Sequence, residues 1–304
     1  ASNVEYWNLS RLSGTAEPYV TFYWYNGTRS GIDNLDPLVA AVYETSLGWK
    51  SMGKGSTTGN TSAGTVTSAN RYNTFGNCGF GWAYSELAWT GNVSSDWTNP
   101  NNWDGVNIPN ATTNVVINGG ATYYPDISSN QSCFKLTLNG TGQITINSGV
   151  LLTVSENVTI GTNSQINLNG EIRVAGDWQN DGTVTPGSSS STVFNGNSTQ
   201  NIHRIQTRNV TFSGSGAKYL YGTNVVQGNL SIAANVYAQS STIQLSGNFA
   251  INSGTFNYGT STLELVGSGT QTFTGSQANL YNLTVNNTSG TAPQLCRASN
   301  PTRA

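Results

Sequence analysis

The sequence predicts an all-β protein in two parts, an immunoglobulin-like β-sandwich followed by a right-handed parallel β-helix. Three observations carry that prediction. Only 9% of the 304 residues are charged, while Gly (35 residues), Asn, Ser and Thr dominate the polar positions. The first 88 residues contain short apolar runs separated by turn residues. After Leu136, triplets of the form apolar-polar-apolar return every six to eight residues.

The composition bounds the function classes first. A chain of this length suits two domains. Strands built from Thr, Val and Ile, with turns supplied by Gly and Asn, suit an extracellular all-β protein. The formal net charge is −2 and there is no basic stripe, so nucleic acid is not expected as a partner. No apolar run is long enough to encode a membrane-spanning helix.

Residues 1–88 read as the sandwich. In PYVTFYWYNG, Val20, Phe22 and Trp24 share one face and Thr21, Tyr23 and Tyr25 the other, a period of two. LVAAVYE, from Leu38, is a second strand and AGTVTSA, from Ala63, starts another. GWKSMGKGSTTGNTSAG between them reads as a connection with little core content.

Residues 89–135 read as a junction and as the N-terminal cap of the solenoid. AWTGNVSSDWTNPNNWDGVNIP, from Ala88, crowds Trp, Asn and Pro into a span that no regular strand accepts. An open solenoid end exposes core and strand edges, and Trp97 and Trp103 are bulky enough to cover it.

Residues 136–293 read as the solenoid. Leu136-Thr137-Leu138, Ile144-Thr145-Ile146, Leu152-Thr153-Val154 and Val158-Thr159-Ile160 are three-residue strands with two inward side chains. Three of them make a coil of roughly 20 to 22 residues. A longer repeat of about 71 residues overlies the triplets. Ile172-Arg173-Val174-Ala175-Gly176 returns as Ile243-Gln244-Leu245-Ser246-Gly247, Trp178 as Phe249, and Gln200 as Gln271. That distance reads as some three coils. Residues 294–304 break the rhythm and read as an irregular tail, and the second repeat stops less than halfway, which reads as a fragment of something longer.

Several phrases carry a resemblance. Tyr6-Trp7-Asn8-Leu9-Ser10-Arg11, the Trp89…Trp97-Thr98-Asn99-Pro100-Asn101-Asn102-Trp103 junction, Gly176-Asp177-Trp178 and Gly269-Thr270-Gln271-Thr272-Phe273 resemble large, repetitive, adhesin-like surface proteins of Bacteroidetes. The resemblance implies export by type IX secretion, Ig-like modules and right-handed parallel β-helices. It brings no catalytic motif.

Candidate chemistry is sparse. The single His, His203, has no Gly-X-Ser-X-Gly elbow to serve. Glu171, Asp177 and Asp181, with Arg173 nearby, are the carboxylates to weigh for glycosidic chemistry. In the second copy, however, Glu171 becomes Thr242 and Asp177 becomes Asn248. Calcium is the metal best suited to the oxygen-rich turns at Asp33 and Asp36 and at Asp96 and Asp104, although Asx-turns account for both stretches without it. Tyr23, Tyr25, Tyr123, Tyr124, Trp97 and Trp103 are the candidates to stack on a sugar if they face outward, packing between domains being the competing role. Cys78 and Cys133 would pair if the two halves touch, while three unpaired thiols, Cys296 included, are the simpler expectation. Outward Thr rows such as Thr137 and Thr159 do not persist, which argues against an ice-binding array.

These readings converge on a non-catalytic, structural or adhesive segment of a secreted or cell-surface protein. It is expected as a monomeric rod or as part of a longer chain or fibre, with glycans or other surface proteins as partners and no cofactor beyond calcium. A carbohydrate-binding module and a polysaccharide-active β-helix enzyme are the alternatives.

Overall fold

The computed structural model describes all residues except 1–4, 34, 36, 45–47, 83–84, 106, 276–278, 289–293 and 296–304. It is an all-β protein that divides into two compact units, Ala1–Ser85 and Glu86–Ala304.

The N-terminal unit holds two antiparallel sheets that share one core. In one, Tyr6–Leu9 pairs with Gly76–Trp82, which pairs with Leu38–Glu44, which pairs with Gly48–Ser51. In the other, Gly64–Thr67 lies between Thr21–Trp24 and Ser56–Gly59. The alternation in TFYW puts Phe22 and Trp24 inside, where both rings meet Phe80 of the opposite sheet edge-on. An immunoglobulin sandwich pairs its first strand with its second. Here the first described strand pairs with the seventh, and the immunoglobulin arrangement expected from the sequence is not confirmed. The Gly/Ser/Thr-rich connection also holds more structure than expected. Ser56–Gly59 and Gly64–Thr67 form a hairpin, with outward Thr58 and Thr65 hydroxyls 2.7 Å apart.

The second unit is a parallel β-solenoid of about 8 turns. Each coil places one short strand on each of three faces. First-face strands begin at Thr113, Lys135, Val158, Trp178, Gln200, Lys218, Asn235 and Thr255, so coils run from 17 to 23 residues. The third-face ladder continues through nine strands, from Gln131–Cys133 to Gln294–Leu295. The solenoid thus starts one coil earlier than the triplet spacing predicts. Thr113–Asn118 pairs in register with Lys135–Asn139, and Asp126–Ile127 and Gln131–Cys133 complete that first coil.

The core follows from the period of two. In Lys135–Asn139, Leu136 and Leu138 point inward, and the same holds for Ile144 and Ile146 and for Leu152 and Val154. Parallel in-register pairing then stacks like on like: Leu136 on Val158, Ile144 on Ile166, Leu152 on Ile172. Aromatic rungs do the same inside, Phe194 on Phe212 and Phe249 on Phe273, with ring centroids 5.5 and 4.5 Å apart.

The three junction tryptophans pack together at the start of this unit. Trp103 packs edge-on between Trp89 and Trp97, with centroids 4.9 and 4.8 Å away, and its indole N–H donates to the Trp97 carbonyl. All three rings belong to the same buried cluster as the solenoid core. Asn102 ties the loop. Its Oδ1 accepts from the Val93 and Ser94 amides and its Nδ2 donates to Ser94 Oγ and the Asp96 carbonyl. Gly91 has φ +59, and a Cβ there would lie 2.0 Å from the Tyr123 oxygen, so only Gly passes beneath Trp89.

The 71-residue repeat is real at the level of contacts, but it is not a whole number of coils. Strand Glu171–Val174 lies on the third face, whereas its counterpart Thr242–Leu245 lies on the second. Trp178–Asn180 lies on the first face and Phe249–Ile251 on the third. The unit that repeats is eleven strands, one short of four coils, so the second copy is rotated by one face. The three faces share one strand-and-turn chemistry, which lets the copy fit after such a rotation.

Candidate functional site

At the solenoid corners the chain leaves one face for the next, and backbone groups there lose their ladder partners. Buried polar side chains supply them. Gln200 accepts from the Gly196 amide (2.8 Å) and donates to the Val174 and Gly176 carbonyls. Gln271 repeats each bond 71 residues later, accepting from Gly267 (3.2 Å) and donating to Leu245 and Gly247. Asn180 accepts from Gly182 and donates to the Arg204 carbonyl, and Asn224 accepts from Ile205. Lys218 lies directly above Gln200 in the ladder, fully buried, and donates to the Gly196 and Gly216 carbonyls at 2.7 and 2.9 Å. Burial pulls its pKa down to about 8.

A second set of side chains runs along the corners. Asn157 Oδ1 accepts from the Asp177 amide, and Asp177 Oδ1 accepts from the Asn201 amide. One face round, Asn209 accepts from Asn229, Asn229 from Asn248 and Asn248 from Thr272. Asp177 and Asn248 therefore do the same work, and the carboxylate charge is not needed for it.

The three carboxylates weighed for catalysis are dispersed by the turning of the coil. Glu171 is bound to Arg173 Nε (2.6 Å) and to Ser191 Oγ (2.8 Å), and lines a groove of about 320 Å³ with Asn130, Asn169 and Ser189. Asp177 lines a different groove, of about 390 Å³, with Glu156, Asn157, Asn197 and Ser198. Asp181 is exposed and held by Gln179 Nε2. Both grooves are shallow features of the corners, and neither contains Glu171 and Asp177 together.

The sequence-derived ligand residues fare unevenly. Trp97 and Trp103 are 1% and 2% exposed, which corrects their assignment as sugar-stacking residues: their faces are spent on each other. Tyr124 packs against the solenoid core, and its hydroxyl accepts from the Gly120 amide. Tyr123 is half-exposed, with its carbonyl held by the Trp89 indole.

The calcium candidates are engaged by the backbone. Asp96 Oδ1 accepts from Thr98 N and Oγ1, and Asp104 Oδ1 accepts from the Ala88 amide. Asp33 is exposed, and Asp36 lies outside the described residues. Among the described residues no group of three or more His, Cys, Asp or Glu side chains is placed to hold a metal ion.

Cys78 and Cys133 do not pair. Each is a free thiol buried in the core of its own unit, Cys78 donating to the Trp7 carbonyl. Burial pushes Cys78 up to about 11 and Cys133 higher still, so neither is a ready thiolate.

Two features escaped sequence reasoning. On the first face, outward His203 stacks on Tyr221 and outward Tyr219 on Tyr237, at 4.5 and 4.7 Å. These rings are nearly parallel, so they cover one another's faces and leave mainly edges outward. Their spacing of 18 residues falls within the range of coil lengths, a signal that appears only once the register is known. The other feature is a groove in the N-terminal unit, about 530 Å³, lined by Tyr25, Asn26, Gly31, Ile32, Asp33, Thr61 and Ser62. Thr61 and Ser62 come from the hairpin turn that the sequence disguises as a connection.

A family profile described as a domain of unknown function, DUF8693, matches residues 88–279, which include the cap and most of the solenoid. No curated protein and no solved structure matches the chain.

Proposed function

The chain belongs to this family, the domain of unknown function DUF8693, and we propose that it serves as a stiff, non-catalytic display segment of a secreted or cell-surface bacterial protein. The observation that supports this reading most is what the internal repeat keeps and what it gives up. The second copy keeps the buried bracket, with Gln271 in the place of Gln200, bond for bond. It gives up the outward charges, with Thr242 in the place of Glu171 and Asn248 in the place of Asp177. A sequence copied for chemistry would hold its carboxylates. A sequence copied for length holds the side chains that let one coil rest on another.

The physical mechanism is mechanical. Coils rise about 4.8 Å each, and a continuous ladder with a filled interior resists bending and shear. Low surface charge makes partner encounter depend on hydrogen bonds and stacking rather than on long-range steering. In this reading the adhesin-like character implied by the sequence phrases places the segment outside the cell, holding other surfaces or modules at a distance.

The experiment is to incubate the full chain with neutral and acidic polysaccharides and to follow new reducing ends and unsaturated products. The expected result is no release above the rate without protein. Sustained turnover abolished by a Glu156→Gln, Asp177→Asn double variant would overturn the proposal in favour of a β-helix enzyme.

A further inference from the structure

We propose that the groove beside Tyr25 in the N-terminal unit is a binding site for a neutral hexose-containing glycan. This goes beyond the display reading and does not rest on it, because every residue involved lies outside the solenoid.

The site is built by the alternation that also builds the core. Phe22 and Trp24 point inward, which fixes Tyr23 and Tyr25 on the outer face, 55% and 86% exposed. Among the described residues, neither outward ring has an aromatic or cationic partner, whereas Tyr19 on the same face is covered by the Arg71 guanidinium at 4.7 Å. Tyr25 therefore presents an open aromatic ring at the lip of a concave surface. The floor and far wall are polar: the Asn26 amide, the exposed Asp33 carboxylate and the Thr61 and Ser62 hydroxyls.

The wall is held in place before any ligand arrives. The Trp24 indole N–H donates to the Asn60 carbonyl at 2.9 Å, which ties the hairpin tip to the core. Asn60 Oδ1 accepts from the Ser62 and Ala63 amides, which sets the tip as an Asx-turn. Asn26 Oδ1 accepts from the Arg29 amide, which orients the short helical turn Gly27–Ser30 and leaves the amide NH₂ as a donor. Preorganised walls lower the ordering cost of binding.

The chemistry selects the ligand. An aromatic ring favours the C–H face of a pyranose. A carboxylate beside an amide and two hydroxyls supplies acceptors and donors for neighbouring sugar hydroxyls. The groove volume lies within the range of small-ligand sites. Among the described residues its lining contains one carboxylate and no cation, so a sulfated or uronic-acid sugar would meet repulsion with no compensating charge. A neutral sugar meets neither.

The test uses the full chain with maltotriose, cellotriose, mannotriose and xylotriose as neutral probes, and a trigalacturonate and a heparin tetrasaccharide as acidic ones. Binding is read by calorimetry and by NMR shifts. At least one neutral hexose trimer is expected to bind, with affinity falling about tenfold or more in Tyr25→Ala and in Asp33→Ala. Both residues are exposed, so neither variant should unfold the unit, and circular dichroism checks this. Tyr281→Ala, an exposed tyrosine of the other unit, should leave the affinity unchanged. The proposal is overturned if no hexose trimer binds, if only acidic probes or xylotriose bind, or if binding survives both groove variants.

Discussion

Replacing Gln200 with Leu tests how the solenoid corners are held. The two side chains are similar in volume, so the change removes hydrogen bonds with little cavity. The Gly196 amide and the Gly176 carbonyl have no other partner among the described residues, whereas the Val174 carbonyl keeps a bond from the Asn195 amide. One buried and one partly buried group are thus orphaned, each costing about 1–3 kcal/mol, the Gly176 carbonyl at the lower end. Part of this is recovered by burying a more apolar side chain, which gives an expected net loss of about 3 kcal/mol. The assay is urea unfolding followed by tryptophan fluorescence, with hydrogen exchange reporting which coil opens. Gln179→Leu, outward on the neighbouring coil, is the control and should change stability by less than about 0.5 kcal/mol. A loss below about 1 kcal/mol in Gln200→Leu would refute the reasoning, because the bracket would then be incidental to the turns it touches.

Three further outcomes follow from the same geometry. Trp103→Ala should destabilise the second unit by about 3–5 kcal/mol, with the Val115 and Ile117 amides of the first coil losing exchange protection before those of later coils. Folding disfavours the charged form of Lys218, whose pKa of about 8 lies below the ordinary value of 10.5. Its desolvation cost is absent above pH 10.5, grows as pH falls and is complete below about pH 8, where it amounts to about 3 kcal/mol. Cys78, Cys133 and Tyr72 act oppositely at high pH, because burial raises their pKa values. The lysine is therefore read from the difference between wild type and Lys218→Met, which should vary between pH 8 and 10.5 and level off outside that window. Asp96→Asn and Asp104→Asn should keep stability within about 0.5 kcal/mol, with or without calcium, because an amide oxygen accepts the same backbone bonds; a calcium-dependent melting temperature lost in either variant would restore the metal reading.

The solenoid was legible because a three-residue strand leaves no ambiguity about which side chains face inward. Leu136, Ile144 and Leu152 announce three faces by spacing alone. The first coil was hidden because its second and third strands are only two and three residues long and follow Tyr123-Tyr124-Pro125. The face rotation of the repeat was invisible for a related reason: triplets from different faces look alike, and only the ladder distinguishes them. Sequence proximity also misled at Glu171, Asp177 and Asp181. Ten residues suffice in a coil to turn from one face past the next, so near neighbours in sequence look outward in different directions. Trp97 and Trp103 were read both as a lid and as sugar platforms. Their burial removes the second role, since rings that meet edge to face in a core have no face left to offer. In the N-terminal unit the outward alternation of Tyr23 and Tyr25 was plain, but the wall opposite Tyr25 was not, because a hairpin of Ser, Thr and Gly carries no apolar rhythm.

The most direct measurement of the central claim is single-molecule stretching of the full chain held by its termini. A ladder of stacked coils should yield in steps, each releasing one coil of about 20 residues, or roughly 70 Å of contour at about 3.5 Å per residue. The Gln200→Leu variant should lower the force of the steps around its own coil and leave the others in place. Smooth extension at low force, with no coil-sized steps and no local effect of the variant, would contradict the account of this chain as a stiff display segment.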